Sequence, residues 1–151
     1  MIKLGIIGAM DVEVETLLAE MEQVTSAKKA GSTFHEGVLM GLPVVLVQCG
    51  VGKVNAAMAA QLLISLYKPD LVLNAGVAGC FENVPIGTLV LAEGFLQHDV
   101  DTSPLGDPVG LVSTVNRVIF PTSELEMARA AMDKVGLPYR TGLVATGDIF
   151  V

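Results

Sequence analysis

Short, continuous apolar runs punctuate this chain, most of them ending in small residues and leading into helical patterns. Lys3 to Ala9 is the first run; bounded by glycine, it predicts a strand covered on both faces. Asp11 is placed to cap a helix whose apolar stripe is Val14, Leu17, Leu18 and Met21. Residues 33–40 and 42–49 predict two antiparallel strands joined at Gly41-Leu42-Pro43. Gly50-Val51-Gly52 then leads into a helix from Lys53 to Tyr67, closed by Lys68-Pro69. Asp70 to Gly76 reads as a second buried strand, followed by the turn Val77-Ala78-Gly79-Cys80. Pro85-Ile86-Gly87 turns the chain into a further strand from Thr88 to Ala92.

The stretch from His98 to Pro121 is rich in Pro, Gly, Asp and Ser and predicts a long working loop. Ser123-Glu124-Leu125-Glu126 has the form of a capping box, opening a helix striped by Leu125, Ala128, Met132 and Val135. Gly136 and Pro138 stop it, and Arg140 to Thr146 is the last strand. With no repeat or linker, these elements predict one α/β domain over 1–151. Its sheet is expected to be mixed, mostly parallel and flanked by helices. Ligands of such sheets sit beyond the carboxyl ends of the strands, which is where chemistry is to be sought.

Composition narrows the function classes. The 151 residues are 52% apolar with 17% charged residues and carry a net charge of −7. No apolar run reaches the roughly 18 residues of a membrane span, so the surplus is expected in buried strands of a soluble, cytoplasmic protein. No arginine precedes Arg117, which weighs against a nucleic-acid surface and against tight binding of a phosphate dianion. Cys49 and Cys80 lack metal spacing and read as buried small residues in a reducing compartment.

Three strand ends carry small residues: Gly8-Ala9-Met10, Gly50-Val51-Gly52 and Gly76-Val77-Ala78-Gly79. Glycines there let main-chain groups approach a flat ligand closely, although each alone could be an ordinary turn. None fits a dinucleotide fingerprint or a Walker loop. Glu13, in the first helical turn and off the apolar stripe, is kept ionised by the helix N-terminus. It can orient and deprotonate a water, or it can simply satisfy the helix dipole. His35 is expected to be solvated, and His98-Asp99 to be a structural pair, since no nucleophilic Ser or Cys accompanies it. Lys53 beside Gly52 lacks the second basic residue a phosphate cradle needs.

Five motifs in order resemble one family. They are Gly5-Ile6-Ile7-Gly8-Ala9-Met10, the Gly50-to-Ala57 segment, Asn74-Ala75-Gly76-Val77-Ala78-Gly79, His98-Asp99-Val100-Asp101 and Thr146-Gly147-Asp148-Ile149-Phe150-Val151. Together they are similar to the 5′-methylthioadenosine/S-adenosylhomocysteine nucleosidases of the purine nucleoside phosphorylase superfamily. The resemblance implies a nucleoside-phosphorylase-like fold and hydrolytic release of adenine from thioadenosines, with no metal or cofactor. It aligns Glu13 with the carboxylate that activates water, and Ala9 and Met10 with the ribose side. Val51, Gly52, Val77, Ala78 and Gly79 would wall the pocket. Phe150 would stack on adenine, with Ile149 and Val151 at its edge. The loop from Thr102 to Leu105 would cover the alkylthio tail, in relatives often across a homodimer interface, and Leu105 stands where relatives commonly carry an aromatic residue.

Val77 replaces a serine that many relatives carry. The family's general acid, an aspartate, and its ribose-holding Met-Glu pair belong to motifs downstream of Gly147-Asp148-Ile149-Phe150. Hydrolysis by these 151 residues alone is therefore expected to be impaired, and Asp148 is expected to be structural. The alternatives are another purine nucleoside hydrolase or phosphorylase, and an inactive nucleoside-binding or oligomerisation module.

Overall fold

The computed structural model describes residues 1–149, and the chain divides into two compact units, Met1–Gly79 and the residues from Cys80 onward. In the first unit the order is β1 (Leu4–Gly8), α1 (Asp11–Glu20), β2 (Glu22–Lys29), β3 (Ser32–Leu39), β4 (Leu42–Gln48), α2 (Lys53–Leu62), a π-helical turn (Leu63–Tyr67) and β5 (Leu71–Asn74). The five strands form one sheet in the order β2-β3-β4-β1-β5. β1 lies between β4 and β5 and is parallel to both, while the β2-β3-β4 side is an antiparallel meander.

Burial on both faces explains the unbroken apolar runs. Successive residues of a strand point to opposite sides. Ile7, Val45 and Val47 pack with Phe34, Cys49, Ala59 and Leu63 beneath α2. Ile6, Val44 and Leu46 pack with Val14 and Met21, so the predicted stripe of α1 meets the other face. Phe34 stacks on Tyr67 with ring centroids 5.1 Å apart.

Several expectations are corrected. Met10, in extended backbone, is the N-cap of α1, and Asp11 is its first helical residue. Residues 22–29 form a strand that the pattern did not predict: β2 is solvent-exposed along its whole length and has no apolar alternation to betray it. The β3–β4 turn is Met40-Gly41, both at positive φ, and Leu42 and Pro43 already belong to β4. β5 is an edge of this sheet rather than a buried strand, with Val72 and Leu73 exposed. His35 shares a 2.7 Å hydrogen bond with the Ser26 hydroxyl across the β2–β3 pair.

The second unit holds β6 (Leu89–Gln97), a short 3₁₀ turn (Ser103–Leu105), β7 (Ile119–Pro121), α3 (Leu125–Val135) and β8 (Tyr139–Thr146). Its sheet has the order β7-β6-β8, with β6 parallel to β8 and antiparallel to β7. β6 thus runs well past Ala92, and the expected loop ends in a short strand. The two sheets are mixed, as expected, but parallel and antiparallel pairings are equal in number, three of each.

The expected capping box on α3 does not form. Thr122 is tied to β6 through its N–H to Glu93 O and its hydroxyl to Ala92 O, so the helix starts later, with Glu124 as N-cap. Val135 and Cys80 are exposed rather than buried. Among the described residues no helix is long and apolar enough to cross a membrane.

Candidate active site

The carboxyl ends of β4, β1 and β5 lie side by side, and main-chain bonds continue past the strands. Cys49 N–H donates to Gly8 O at 2.8 Å, Gly50 N–H to Ala9 O at 3.1 Å, and Ala75 N–H to Ile7 O at 3.1 Å. The Asn74 side-chain amide donates to the same Ile7 carbonyl, and that of Asn55 donates to Val51 O, tying the glycine turn to α2. All three small-residue segments are therefore gathered on one rim.

Glu13 fastens this rim. Its Oε2 accepts the N–H groups of Ala9 at 2.6 Å and Met10 at 2.9 Å, and its Oε1 accepts that of Val77 at 3.0 Å. As the third residue of α1, Glu13 is placed to reach back to the cap, the acidic half of a capping box with methionine where serine is usual. Gly76 is what lets the carboxylate approach: a Cβ there would sit 2.7 Å from Oε1. Burial pushes the Glu13 carboxyl up, but the N–H groups of Val77, Met10 and Ala9 outweigh it and hold it below the usual range. The group is therefore an anion at neutral pH.

A carboxylate offers about four acceptor positions. With two donors on Oε2 and one on Oε1 among the described residues, Oε1 retains room for a water or a ligand hydroxyl. Cys49 lies close enough for the Glu13 charge to matter. Its burial raises the thiol pKa, its own backbone opposes, and the Glu13 charge adds to the rise, so the sulfur stays neutral. Its S–H donates to Gly50 O.

Of the residues picked from sequence, the structure brings Ala9, Met10, Glu13 and Val77 into direct contact, with Gly50, Val51 and Gly52 joined to them through Ala9. Val51 and Val77 are exposed by 72% and 75%, and Ala78 and Gly79 are also open. Thr102 and Ile149 belong to the second unit. There the Thr102 hydroxyl donates to Asp107 at 2.8 Å, and Ile149 is exposed. Phe150 and Val151 lie outside the described residues. In the His98-Asp99 pair, the Asp148 N–H donates to Asp99 Oδ2 at 2.7 Å. Sequence reasoning missed Asn74 and Asn55 as braces; an amide side chain at the end of a strand or in a first helical turn was the available signal.

An ionised carboxylate cradled by main-chain N–H groups beyond parallel strands marks an α/β protein that handles a small polar ligand at its strand ends. Residues 3–151 match the model of the phosphorylase superfamily. A 5′-methylthioadenosine/S-adenosylhomocysteine nucleosidase of Chromohalobacter salexigens is 41% identical over 99% of this chain and 65% of its own length. Solved nucleosidases are similar throughout. That of Colwellia psychrerythraea, in complex with adenine, has TM-score 0.90 and 37% identity over 99% of this chain and 63% of its own. That of Neisseria meningitidis, in complex with methylthio-immucillin-A, has TM-score 0.90 and 34% identity over 100% and 67%. The chain belongs to the methylthioadenosine/S-adenosylhomocysteine nucleosidase family of the phosphorylase superfamily, and it spans about 65% of the length of the curated relatives it matches.

Proposed function

We propose that the protein carrying this chain hydrolyses the N-glycosidic bond of 5′-methylthioadenosine and S-adenosylhomocysteine, releasing adenine and the thioribose. The observation that carries the reading is the Glu13 carboxylate, held by three N–H groups at the strand-end rim of a chain whose relatives are solved in complex with adenine and with methylthio-immucillin-A. In this reading the bond from C1′ to the purine nitrogen breaks through an oxocarbenium-like sugar, and its electron pair leaves with adenine. A water held on Glu13 Oε1 attacks C1′ and passes a proton by way of that carboxylate to solvent, while the departing adenine takes one up, so that neutral adenine and the thioribose are released. Because its pKa is lowered, Glu13 contributes by orienting the water and by countering the positive charge that develops on the sugar, more than by basicity.

Ala9 and Met10 border the ribose, and Val51, Gly52, Val77, Ala78 and Gly79 line the wall. Thr102 lies toward the alkylthio tail, and Ile149, Phe150 and Val151 meet the purine. The protein works in the cytoplasm in methionine salvage, as a homodimer. Arginine is absent from the whole first unit, which favours water over phosphate as the nucleophile. The test is adenine release from methylthioadenosine by the full protein in phosphate-free buffer. Release without phosphate that falls at least a hundredfold in Glu13→Gln is expected. Release that requires added phosphate would overturn the hydrolytic reading.

A further inference from the structure

In the second unit the carboxyl ends of β6 and β8 lie side by side, and the chain beyond them is fastened by contacts that the reading above does not use. The parallel register pairs Gln97 with Thr146, the last residue of each strand. One residue on, His98 N–H donates to Thr146 O at 3.0 Å. Two residues on, the Asp148 N–H donates to Asp99 Oδ2 at 2.7 Å, the short distance of a charge-assisted bond. Between them Gly147 lies against the His98 imidazole so closely that a Cβ would overlap the ring at Nε2, Cε1 and Cδ2. A strand end normally leaves its main-chain groups to solvent and frays. Here a carboxylate and an imidazole take over where the ladder stops.

We propose that Asp99 and His98 are positioning residues for the purine. They set the backbone direction at Gly147-Asp148 and so aim Ile149 before any ligand arrives. The inference rests on the reading that Ile149, Phe150 and Val151 meet the purine. Its physical content is preorganisation: a segment already fastened at its root need not be ordered at the expense of binding energy. Neither residue touches the reacting atoms in this account. Their loss weakens purine binding while leaving the Glu13 rim intact.

Amide hydrogen exchange and calorimetry with adenine test this on the full protein. Asp99→Ala is expected to lose exchange protection at the Asp148 amide and to raise the dissociation constant for adenine about tenfold, the effect of one lost charge-assisted bond. Asp99→Asn keeps an oxygen that can accept the same N–H and should recover most of both. Gly147→Ala should weaken adenine binding, and adding His98→Ala should recover part of it by removing the ring that the new Cβ meets. This second pair reads the contact even if Asp99→Ala does not fold. Unchanged adenine affinity in Asp99→Ala, no rescue by Asp99→Asn, or no recovery in the double variant would overturn the inference. Phe150→Ala separates the two levels. If it leaves adenine affinity unchanged, or the unsubstituted protein does not bind adenine, the purine reading itself fails and the inference with it. If Phe150→Ala weakens binding and Asp99→Ala does not, only the positioning role is lost.

Discussion

Glu13 serves stability and chemistry with the same atoms, so its two contributions separate by pH. Its folded-state pKa is depressed by the three N–H donors. The stability it confers is therefore present above its unfolded pKa, about 4.3, and is lost as pH falls through the lower folded value. Glu13→Gln should cost about 1.5–3 kcal/mol at pH 7, the range for hydrogen bonds to a charged group, and the gap should shrink below about pH 4. Denaturant titrations of both proteins at pH 7 and pH 3 check this; a gap independent of pH would show that the charge is immaterial. Gly76→Ala should act on the same group from the other side, because its Cβ displaces Oε1 and breaks the bond to Val77. The chemical candidacy of Glu13 was legible from its place in the first helical turn. Its grip on Val77 was not, because that contact spans 64 positions and exists only once β1 and β5 are parallel neighbours.

At the scale of elements, the β2-β3-β4 meander is closed by two tight turns, Ala30-Gly31 and Met40-Gly41, with every central residue at positive φ. That is the signature of hairpin turns whose twist matches the strands, and asparagine or aspartate is favoured at the first central position. Met40 is 95% exposed and makes little use of its side chain. Met40→Asn is therefore expected to stabilise the protein by about 0.5–1 kcal/mol, read as a raised melting temperature with adenine release unchanged. A lowered melting temperature would mean that the methionine packs against something that the isolated chain does not show. The Gly41 turn was visible in sequence, displaced by one residue. β2 was not, because an edge strand exposed throughout needs no apolar alternation and is specified by its pairing with β3.

For the molecule as a whole, acidity and apolar exposure point to self-association of a specific kind. Val54 and Met58, one turn apart on α2, are exposed by 75% and 38%, and Val51 just before the helix by 72%. Apolar side chains in such a group beside a ligand rim are costly to leave in water. The net charge of −7 opposes indiscriminate aggregation, so a defined interface is the expected outcome. The proposed homodimer should sediment as such at concentrations of roughly tens of micromolar, and Val54→Glu should shift it toward monomer. A clean monomer at that concentration would sink the proposal.

The sequence by itself determined most of the alternation of strands and helices, the face of α1 that enters the core, and the small-residue segments at three strand ends. These depend on periodicity and on backbone freedom, which are local properties. It also singled out Glu13 and the His98-Asp99 pair, since residue type and position in a helix or at a strand end can be read without a partner. Only the tertiary structure decided which groups those residues hold: Val77 on Glu13, Asp148 on Asp99, Ile7 on Asn74. It likewise moved the helix caps from Asp11 to Met10 and from Ser123 to Glu124, and it placed β5 at an edge. The physical reason is common to all of these. A hydrogen bond or an edge is a relation between segments far apart in the chain, and no periodicity within either segment encodes its partner.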